Sequence, residues 1–540
     1  MKDTDLYYRK NEPDTYIMKK HSHSMNTQIP KHSAEINDDN SISRRKFIEG
    51  AGSAAIGLTI VPSTVLGGKH VPPSDKINVA YIGLGTQGLR QLPDIIQLED
   101  VQITAVCDPQ RKAINYYDWG PTGLRDQMRQ LIGNPNWTTG GNNTIPGGLD
   151  NGKEIVDAYY AKSGKNYKCN AYTDFRELFE KEKDLDAIQV MTPDHLHGVI
   201  CAAALKRNIA VSVHKPLSNR LIEGKKVFDM ANQSNATTHL QPWDSNGEDM
   251  PKVMEWINSG AIGELQEVHN WSFRPVWPQY AKLPTETPKL PDGFDWDVWL
   301  GPEASRAYHP HFTNMTFRGW YDFGGGSMAD MGHYSLWTVF EHLKLGKPSI
   351  IEPNFNHVCD ISEQGTAFKI RNDFSFPFAS SMRFKYPAVE GRPALDLVWY
   401  DGGMRPPVPK EFYEQGIDFP SEGIMFKGSK GIIMTRGFRA TGPYLLSGGV
   451  KVSKEVSAAA GAVKMPGIQR FVEGIKAGKQ IEGGFRQAWP ITEAVNLYAA
   501  ALRSQKTLLY DADAMQIKND QKANEYLDRT YRKGWGLDEV

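Results

Sequence analysis

The sequence predicts an α/β protein of two domains, a parallel, doubly wound domain followed by an α+β domain on a separate, mostly antiparallel sheet. Three observations predict it. A strand–glycine–helix–strand unit runs from Lys76 to Asp108, two more strand ends lead into helices between residues 187 and 216, and short alternating strands recur between residues 263 and 432.

In the first unit, Ile77 to Ile82 is a short apolar, β-branched run suited to a strand buried on both faces of a parallel sheet. Gly83, Gly85 and Gly88 follow at G-x-G-x-x-G spacing, with Leu84, Thr86 and Gln87 between them, and a helical pattern begins behind. The first glycine serves a tight turn, the second the approach of a pyrophosphate, and the third close helix–strand packing; the open amides of the helix start then face the phosphates. A second strand, Val101 to Cys107, ends in Asp108, 20 residues after Gly88. An acid there accepts from adenosine ribose hydroxyls and repels a 2′-phosphate, which favours NAD, while Arg111 leaves NADP open.

The chain has 540 residues, too many for one core, with 40% apolar and 11% aromatic residues to fill two. A formal net charge of −1 gives no electrostatic reason to expect nucleic acid. The four cysteines, Cys107, Cys169, Cys201 and Cys359, show no metal-ligand spacing, so neither a disulfide framework nor a metal site is expected.

Residues 1–40 read as a disordered leader, with Met25 a second candidate start. Residues 41–70 resemble a twin-arginine export signal: Arg44-Arg45 precede Ala51 to Leu66, too short and too interrupted by Gly, Pro and Ser for a stable membrane span. Periplasmic export is expected. No nicotinamide pool exists there, so the cofactor is expected to stay tightly bound through turnover.

The nucleotide domain is placed at residues 75–240. Residues 119–170, rich in Gly, Asn and Pro, read as a loop insertion with a helix near Glu154 to Ala161. Asp174 to Lys181 reads as a helix and Ala187 to Met191 as a strand. Thr192 then serves as N-cap and Pro193 as first helical residue, with Asp194, His195 and His197 following. Strand Ile209 to Val213 ends in His214-Lys215-Pro216, which puts Lys215 on the same sheet edge as the glycine loop. Ligands of open α/β sheets bind at that edge, and a buried Lys of lowered pKa can deprotonate a hydroxyl.

Residues 241–540 form the second domain. Strands are expected at Gly263 to Arg274, Phe368 to Ile370, Phe374-Phe376-Phe378, Met382 to Tyr386 and Leu397 to Tyr400, with a hairpin at Phe426 to Ile432 and helices over 466–503. Trp271, Trp277, Trp296, Trp299, Trp320 and Tyr321 crowd one segment. Half of these rings are expected to be packing, and Arg318, Trp320 and Tyr321, just before a glycine run, are candidates for a substrate wall.

The run MTPDHLHGVICAAALKRNIAVSVHKPLS, with DWDVWLGP (Asp295 to Pro302), GWYDFGGGSMADMGHY (Gly319 to Tyr334) and YRKGW (Tyr531 to Trp535), resembles the Gfo/Idh/MocA (glucose–fructose oxidoreductase/inositol dehydrogenase) family over residues 76–540. The resemblance implies a Rossmann domain, then a domain with a large open sheet used for homo-oligomer contacts, and NAD(P)-dependent oxidation of a sugar or polyol hydroxyl. By position, Lys215 matches the catalytic lysine, and Thr192, Pro193 and His197 the nicotinamide-side turn. The family's Glu before the lysine is His214 here, which removes a carboxylate that would favour charged Lys215. The second motif, Asp-x-Gly-x-His, reads Asp330-Met331-Gly332-His333-Tyr334, so the histidine is one residue early. On a helix Asp330 and Tyr334 share a face and His333 sits about 100° around. Tyr334 and His333 therefore both stand as acid/base partner, with Asp330 as orienter. Three functions are open: sugar oxidation by hydride transfer to bound nicotinamide, redox-neutral glycoside cleavage by oxidation and elimination, and sugar binding without catalysis.

Overall fold

The computed structural model describes residues 75–540 apart from 119–122, 139–142, 163, 165, 166, 242–248, 276, 415, 417, 438 and 448–464. The leader and the export signal lie outside the described residues.

The first sheet has six parallel strands. They are β1 (Ile77–Ile82), β2 (Val101–Cys107), β5 (Asn170–Tyr172), β6 (Ala187–Val190), β7 (Ala210–His214) and β8 (Thr238–Gln241). Their spatial order is β5-β2-β1-β6-β7-β8. This is a doubly wound sheet whose order reverses between β1 and β6, and the crevice outside that point is where such sheets bind ligands. Every residue of β6, β7 and β8 is buried, as central strands with both faces covered are. The intervening helices are α1 (Thr86–Ile96), α2 (Gly123–Ile132), α3 (Leu149–Ala161), α4 (Phe175–Lys181), α5 (Asp194–Lys206) and α6 (Leu221–Gln233).

The segment expected to be a loop insertion is structured. Strands β3 (Ala113–Tyr117) and β4 (Thr144–Gly147) pair antiparallel, and α2 and α3 pack with α1 against the first sheet through Leu124, Met128, Leu131, Ile155 and Val156. Asp118 accepts from the Leu124 and Arg125 amides at the start of α2. Capping and packing override the Gly- and Asn-rich composition.

The second sheet has nine strands in the order β17-β16-β15-β9-β14-β13-β10-β18-β19. These are β9 (Leu265–Trp271), β10 (Ile350–Phe355), β13 (Ser380–Tyr386), β14 (Leu395–Tyr400), β15 (Gly423–Gly428), β16 (Gly431–Met434), β17 (Tyr444–Ser447), β18 (Leu508–Asp511) and β19 (Gln516–Ile517). Its pairs are antiparallel except β14 with β9. Strands β11 (Cys359–Ile361) and β12 (Ala367–Lys369) make a separate exposed hairpin. The alternation Phe374-Phe376-Phe378 forms no strand. Phe374 packs with the aromatic cluster, Phe376 enters the main core, and Phe378 is exposed.

Helix 467–477 returns to the first domain, seating Ile468, Phe471 and Val472 in the core beneath β1 and β2. The C-terminal segment is fastened by buried charges. Arg529 pairs with Glu223 on α6 (3.1 Å) and with Glu303 (2.8 Å), and Glu303 also pairs with Arg220 (3.1 Å). Tyr531 donates to Glu223 at 2.9 Å. A buried pair is costly to break because the survivor keeps its desolvation cost without its partner. Replacing Arg529 by Met, which leaves Glu223 and Glu303 buried, should lower unfolding free energy by about 3–5 kcal/mol. Urea denaturation followed by tryptophan fluorescence measures it.

Candidate active site

The carboxyl ends of β1, β6 and β7 lie side by side. Gly83 leaves β1 with φ +98°, and a Cβ there would stand 2.6 Å from the backbone of Met191 at the end of β6. A Cβ on Gly88 would meet the Gly83 carbonyl oxygen at 2.1 Å. No other residue type keeps α1 this close to the strand ends. The first-turn amides of α1, over Thr86, Gln87 and Gly88, have no carbonyl partner within the helix. Asp108 is buried at the end of β2, where its carboxylate accepts from the Leu84 amide (2.7 Å) and the Gln110 amide (2.9 Å). Burial pushes its pKa up to about 6 against those two bonds. A carboxylate has lone pairs beyond the two used here, so it fastens the loop and keeps acceptor capacity for hydroxyls. Arg111 is turned away, paired with Asp150 at 3.0 Å on the surface. These residues fit a dinucleotide: a glycine loop too tight for a Cβ, a helix start whose first amides have no carbonyl partner within the helix, and an acid at the second strand end.

At β6 the helix starts one residue later than expected. Pro193 is the N-cap and Asp194 the first residue of α5. The Thr192 hydroxyl makes no cap and is a buried oxygen without a hydrogen-bond partner. His197 bridges the turn to the next strand end, its Nε2 2.9 Å from Thr192 O and its Nδ1 2.6 Å from Pro216 O. His195 serves packing, with Nε2 on Trp299 O at 2.8 Å and its ring between Trp299 and Phe323. Asp194 points to the second domain, accepting from Arg318 Nη1 (2.8 Å) and the Gly325 amide (3.0 Å).

At β7, Lys215 is 1% exposed and its ammonium pairs with Asp330, 115 residues away in the second domain. Burial lowers the Lys215 pKa to about 8; Asp330 pulls it up and Arg318 pushes it down. Burial works against the charge of Asp330 too, but Lys215 and Arg318 hold its carboxyl down at about 2. Arg318 Nε lies 3.4 Å from Asp330. Asp194–Arg318–Asp330–Lys215 is thus a chain of alternating charge across the domain junction.

Asp330 sits in a π-helical turn, Met328–Gly332, that runs into helix 333–342. Such wide turns re-aim side chains at functional sites. Tyr334 is half-buried and faces Lys215, whose Nζ is 5.1 Å from the ring centre, and its hydroxyl is 3.4 Å from His214 Nε2. His333 turns inward: it is 2% exposed, and Nδ1 donates to Ala329 O at 2.9 Å. Burial first, and then the Lys215 charge, bring the pKa of His333 to about 3, and the same two causes keep His214 well below its usual range.

Two of the three wall residues are corrected. Trp320 is 1% exposed, stacks on Tyr280 at 4.0 Å and donates Nε1–H to His311 O; it belongs to an aromatic core with Phe312 and Phe323. Tyr321 is buried against Phe376. Only Arg318 reaches the site. Two residues absent from the sequence reading bear on it: Arg439, whose Cζ lies 5.4 Å from the Tyr334 ring centre, and Arg90, from α1, whose charge acts on the Tyr334 hydroxyl. Neither sits in a motif, and only the folded chain brings them in.

Residues 148–241 match the NAD-binding Rossmann fold of an oxidoreductase family, and residues 252–351 match its C-terminal alpha/beta domain. Both matched models are domains of one family, the Gfo/Idh/MocA oxidoreductases, to which these two stretches are similar. Among curated relatives, a glycosyl hydrolase family 109 protein of Shewanella pealeana is 23% identical over 239 residues, 42% of this chain and 44% of that protein. An alpha-N-acetylgalactosaminidase of Shewanella oneidensis is 20% identical over 240 residues, with the same coverage. The matches thus span less than half the length of these relatives. Among solved structures, the WlbA dehydrogenase from Bordetella pertussis in complex with NADH and UDP-GlcNAcA superposes with a TM-score of 0.47 at 12% identity, covering 81% of this chain and 100% of that one. A levoglucosan dehydrogenase in complex with NADH and L-sorbose gives 0.45 and 12%, covering 80% and 98%. Among the described residues no cluster of His, Cys, Asp or Glu is suited to a metal ion, and no helix is long and apolar enough to cross a membrane.

Gly88→Ala forces a Cβ onto the Gly83 carbonyl, so the glycine loop has to open. The purified variant should carry much less nucleotide than the unmodified protein, measured by mass spectrometry of the released small molecules.

Proposed function

We propose that this chain oxidises a secondary hydroxyl of a sugar, polyol or glycoside by hydride transfer to a tightly bound NAD. The observation that carries this is Lys215: a lysine sealed from solvent at the edge of the nucleotide sheet, with burial bringing its pKa to about 8 while Asp330 fixes its direction. NAD rather than NADP is supported by the buried Asp108 carboxylate, which repels a 2′-phosphate, and by the engagement of Arg111 with Asp150. When bound, the nicotinamide supplies the hydride acceptor. Lys215 in its neutral form takes the hydroxyl proton, and at pH 7 about a tenth of it is neutral. Tyr334, half-exposed, is the partner that touches substrate. Its O–H donates to neutral His214, leaving the phenol oxygen to accept from a ring hydroxyl. His333, buried behind it, supports the turn. Export by the twin-arginine route and self-association through the second sheet complete the reading.

The names of the curated relatives favour a second reading, redox-neutral glycoside cleavage, in which transient oxidation acidifies a ring C–H, the aglycone is eliminated, and the cofactor ends unchanged. One experiment separates the two. The protein is purified with no nucleotide added, and its reduced-nicotinamide absorbance is followed while glycosides are supplied. Lasting reduction supports the dehydrogenase; aglycone release without it supports cleavage; absence of any bound nucleotide overturns both.

Lys215 as base gives a pH profile of known sign. kcat/KM for oxidation should climb with pH below about 8 and flatten above it, because only neutral lysine accepts a proton. Asp330 raises the Lys215 pKa, so Asp330→Asn should move the rising limb to lower pH, by about one unit or more. Lys215→Met should abolish turnover while retaining the nucleotide; full activity in that variant would sink the assignment.

A further inference from the structure

The glycine loop at the end of β1 is covered by the inserted segment, and Tyr116 of β3 is the residue that meets it. A Cβ on Gly85 would stand 3.1 Å from Tyr116 Cε1 and 3.3 Å from its Cζ, so the space left by the missing side chain is held by the edge of this ring. Gly147 of β4 meets the opposite edge: a Cβ there would lie 2.5 Å from Tyr116 Cδ2 and 2.8 Å from the Leu84 carbonyl oxygen. Two glycines thus admit one tyrosine between the loop and the ribbon of β3 and β4. The same segment is bonded to both loops that would hold a dinucleotide. Thr86 Oγ1 donates to Tyr117 O (2.8 Å) and the Gly148 amide to Leu84 O (3.0 Å). Just past Asp108, the Leu149 and Asp150 amides donate to Gln110 O (2.8 Å) and Arg111 O (2.9 Å). The insertion is therefore a strap from the glycine loop to the acid that receives the adenosine ribose.

Strand β3 gives little else to the core. Ala113 is buried and Tyr116 half-buried, while Ile114, Asn115 and Tyr117 are exposed. A ribbon with so few buried apolar side chains opens locally at low cost. Among the described residues the Tyr116 hydroxyl has no hydrogen-bond partner. Burial and the charge of Asp108 keep its pKa well above the usual phenol range, so at neutral pH it is an O–H donor.

We propose that the β3–β4 ribbon is a clasp on the bound dinucleotide and that Tyr116 is its pin, the ring closing over the glycine loop and the hydroxyl donating to an oxygen of the dinucleotide beside Asp108. This rests on the NAD-dependent reading above and adds what keeps the cofactor in place through turnover. The pyrophosphate and the ring approach the same glycine, so the ring moves aside for entry and returns behind the ligand. Retention is then set by the rate at which the clasp opens as well as by the contacts that the nucleotide makes.

Exchange of bound nucleotide tests this. The holoprotein, loaded with NAD, is mixed with an excess of isotopically labelled NAD, and the label in the protein-bound fraction is followed by mass spectrometry. Tyr116→Ala should exchange about tenfold or more faster than the unmodified protein. Tyr116→Phe keeps the ring between Gly85 and Gly147, and with it the local packing; it should exchange about threefold or more faster, for the loss of one donor. Ile114→Ala, at an exposed position of the same strand, should exchange at the unmodified rate. The proposal is overturned by exchange within the mixing time in the unmodified protein, or by the unmodified rate in either Tyr116 variant. Slower exchange in Tyr116→Ala, which would make the ring an obstacle to binding, overturns it too, as does equal acceleration in Ile114→Ala, which would make the effect one of ribbon stability. In each of these cases NAD is still bound and the hydride-transfer reading stands; a protein that binds no NAD at all sinks that reading and the clasp together.

Discussion

The interaction on which the site depends is the buried pair between Lys215 and Asp330. Its two members come from different domains, so the pair exists only when the sheet edge of the first meets the π-helical turn of the second. Burial alone would strip Lys215 of its proton, and full pairing in water would leave it a permanent cation. The combination sets its pKa at about 8, where it is poised to exchange a proton near neutrality. Arg318 takes part in the same balance. By holding Asp194 at the start of α5 and Asp330 at the turn, it ties the substrate side of the cleft to the nucleotide side through one guanidinium.

The histidine at position 214, where the family resemblance leads one to expect Glu, has a physical meaning in this setting. A carboxylate beside Lys215 would add to the pull of Asp330 and raise the lysine pKa. The buried imidazole stays neutral and instead meets the Tyr334 hydroxyl, so the position changes from an electrostatic neighbour of the lysine to a hydrogen-bond partner of the tyrosine. The histidine that arrives one residue early in the second motif is consistent with this exchange. His333 faces the protein interior and Tyr334 takes the open face of the turn, as their spacing from Asp330 requires.

What was legible in the sequence was local. The bounds of β1 and β2 follow from continuous apolar runs stopped by Gly83 and Asp108, and the glycine spacing is a demand of one turn that no distant residue alters. Residues 119–170 misled because their apolar side chains, Leu124, Met128 and Leu131, are diluted by Gly, Asn and Pro. Their helix is secured by an Asp118 cap and by packing on α1, neither of which has a period. Phe374, Phe376 and Phe378 alternate as a strand would, yet three different environments take them. Trp320 and Tyr321 read as part of a substrate wall because they follow Arg318, but the turn that ends at Gly319 sends both rings inward while the arginine stays out. Arg90 and Arg439 were illegible for the converse reason: each is an ordinary surface-type residue until tertiary contacts gather them.

The fastening of the chain's last portion to the first domain bears on biosynthesis. The core beneath β1 and β2 is completed by Ile468, Phe471 and Val472, and the Glu223 carboxylate on α6 is compensated by Arg529 and Tyr531. A ribosome that has delivered only the nucleotide domain has therefore made a sheet with part of one face uncovered and a buried acid without its counter-charge. Stable closure waits until residues some 290 positions beyond β8 have emerged. The native form of the first domain is accordingly completed by the chain's last portion and not by its leading half alone.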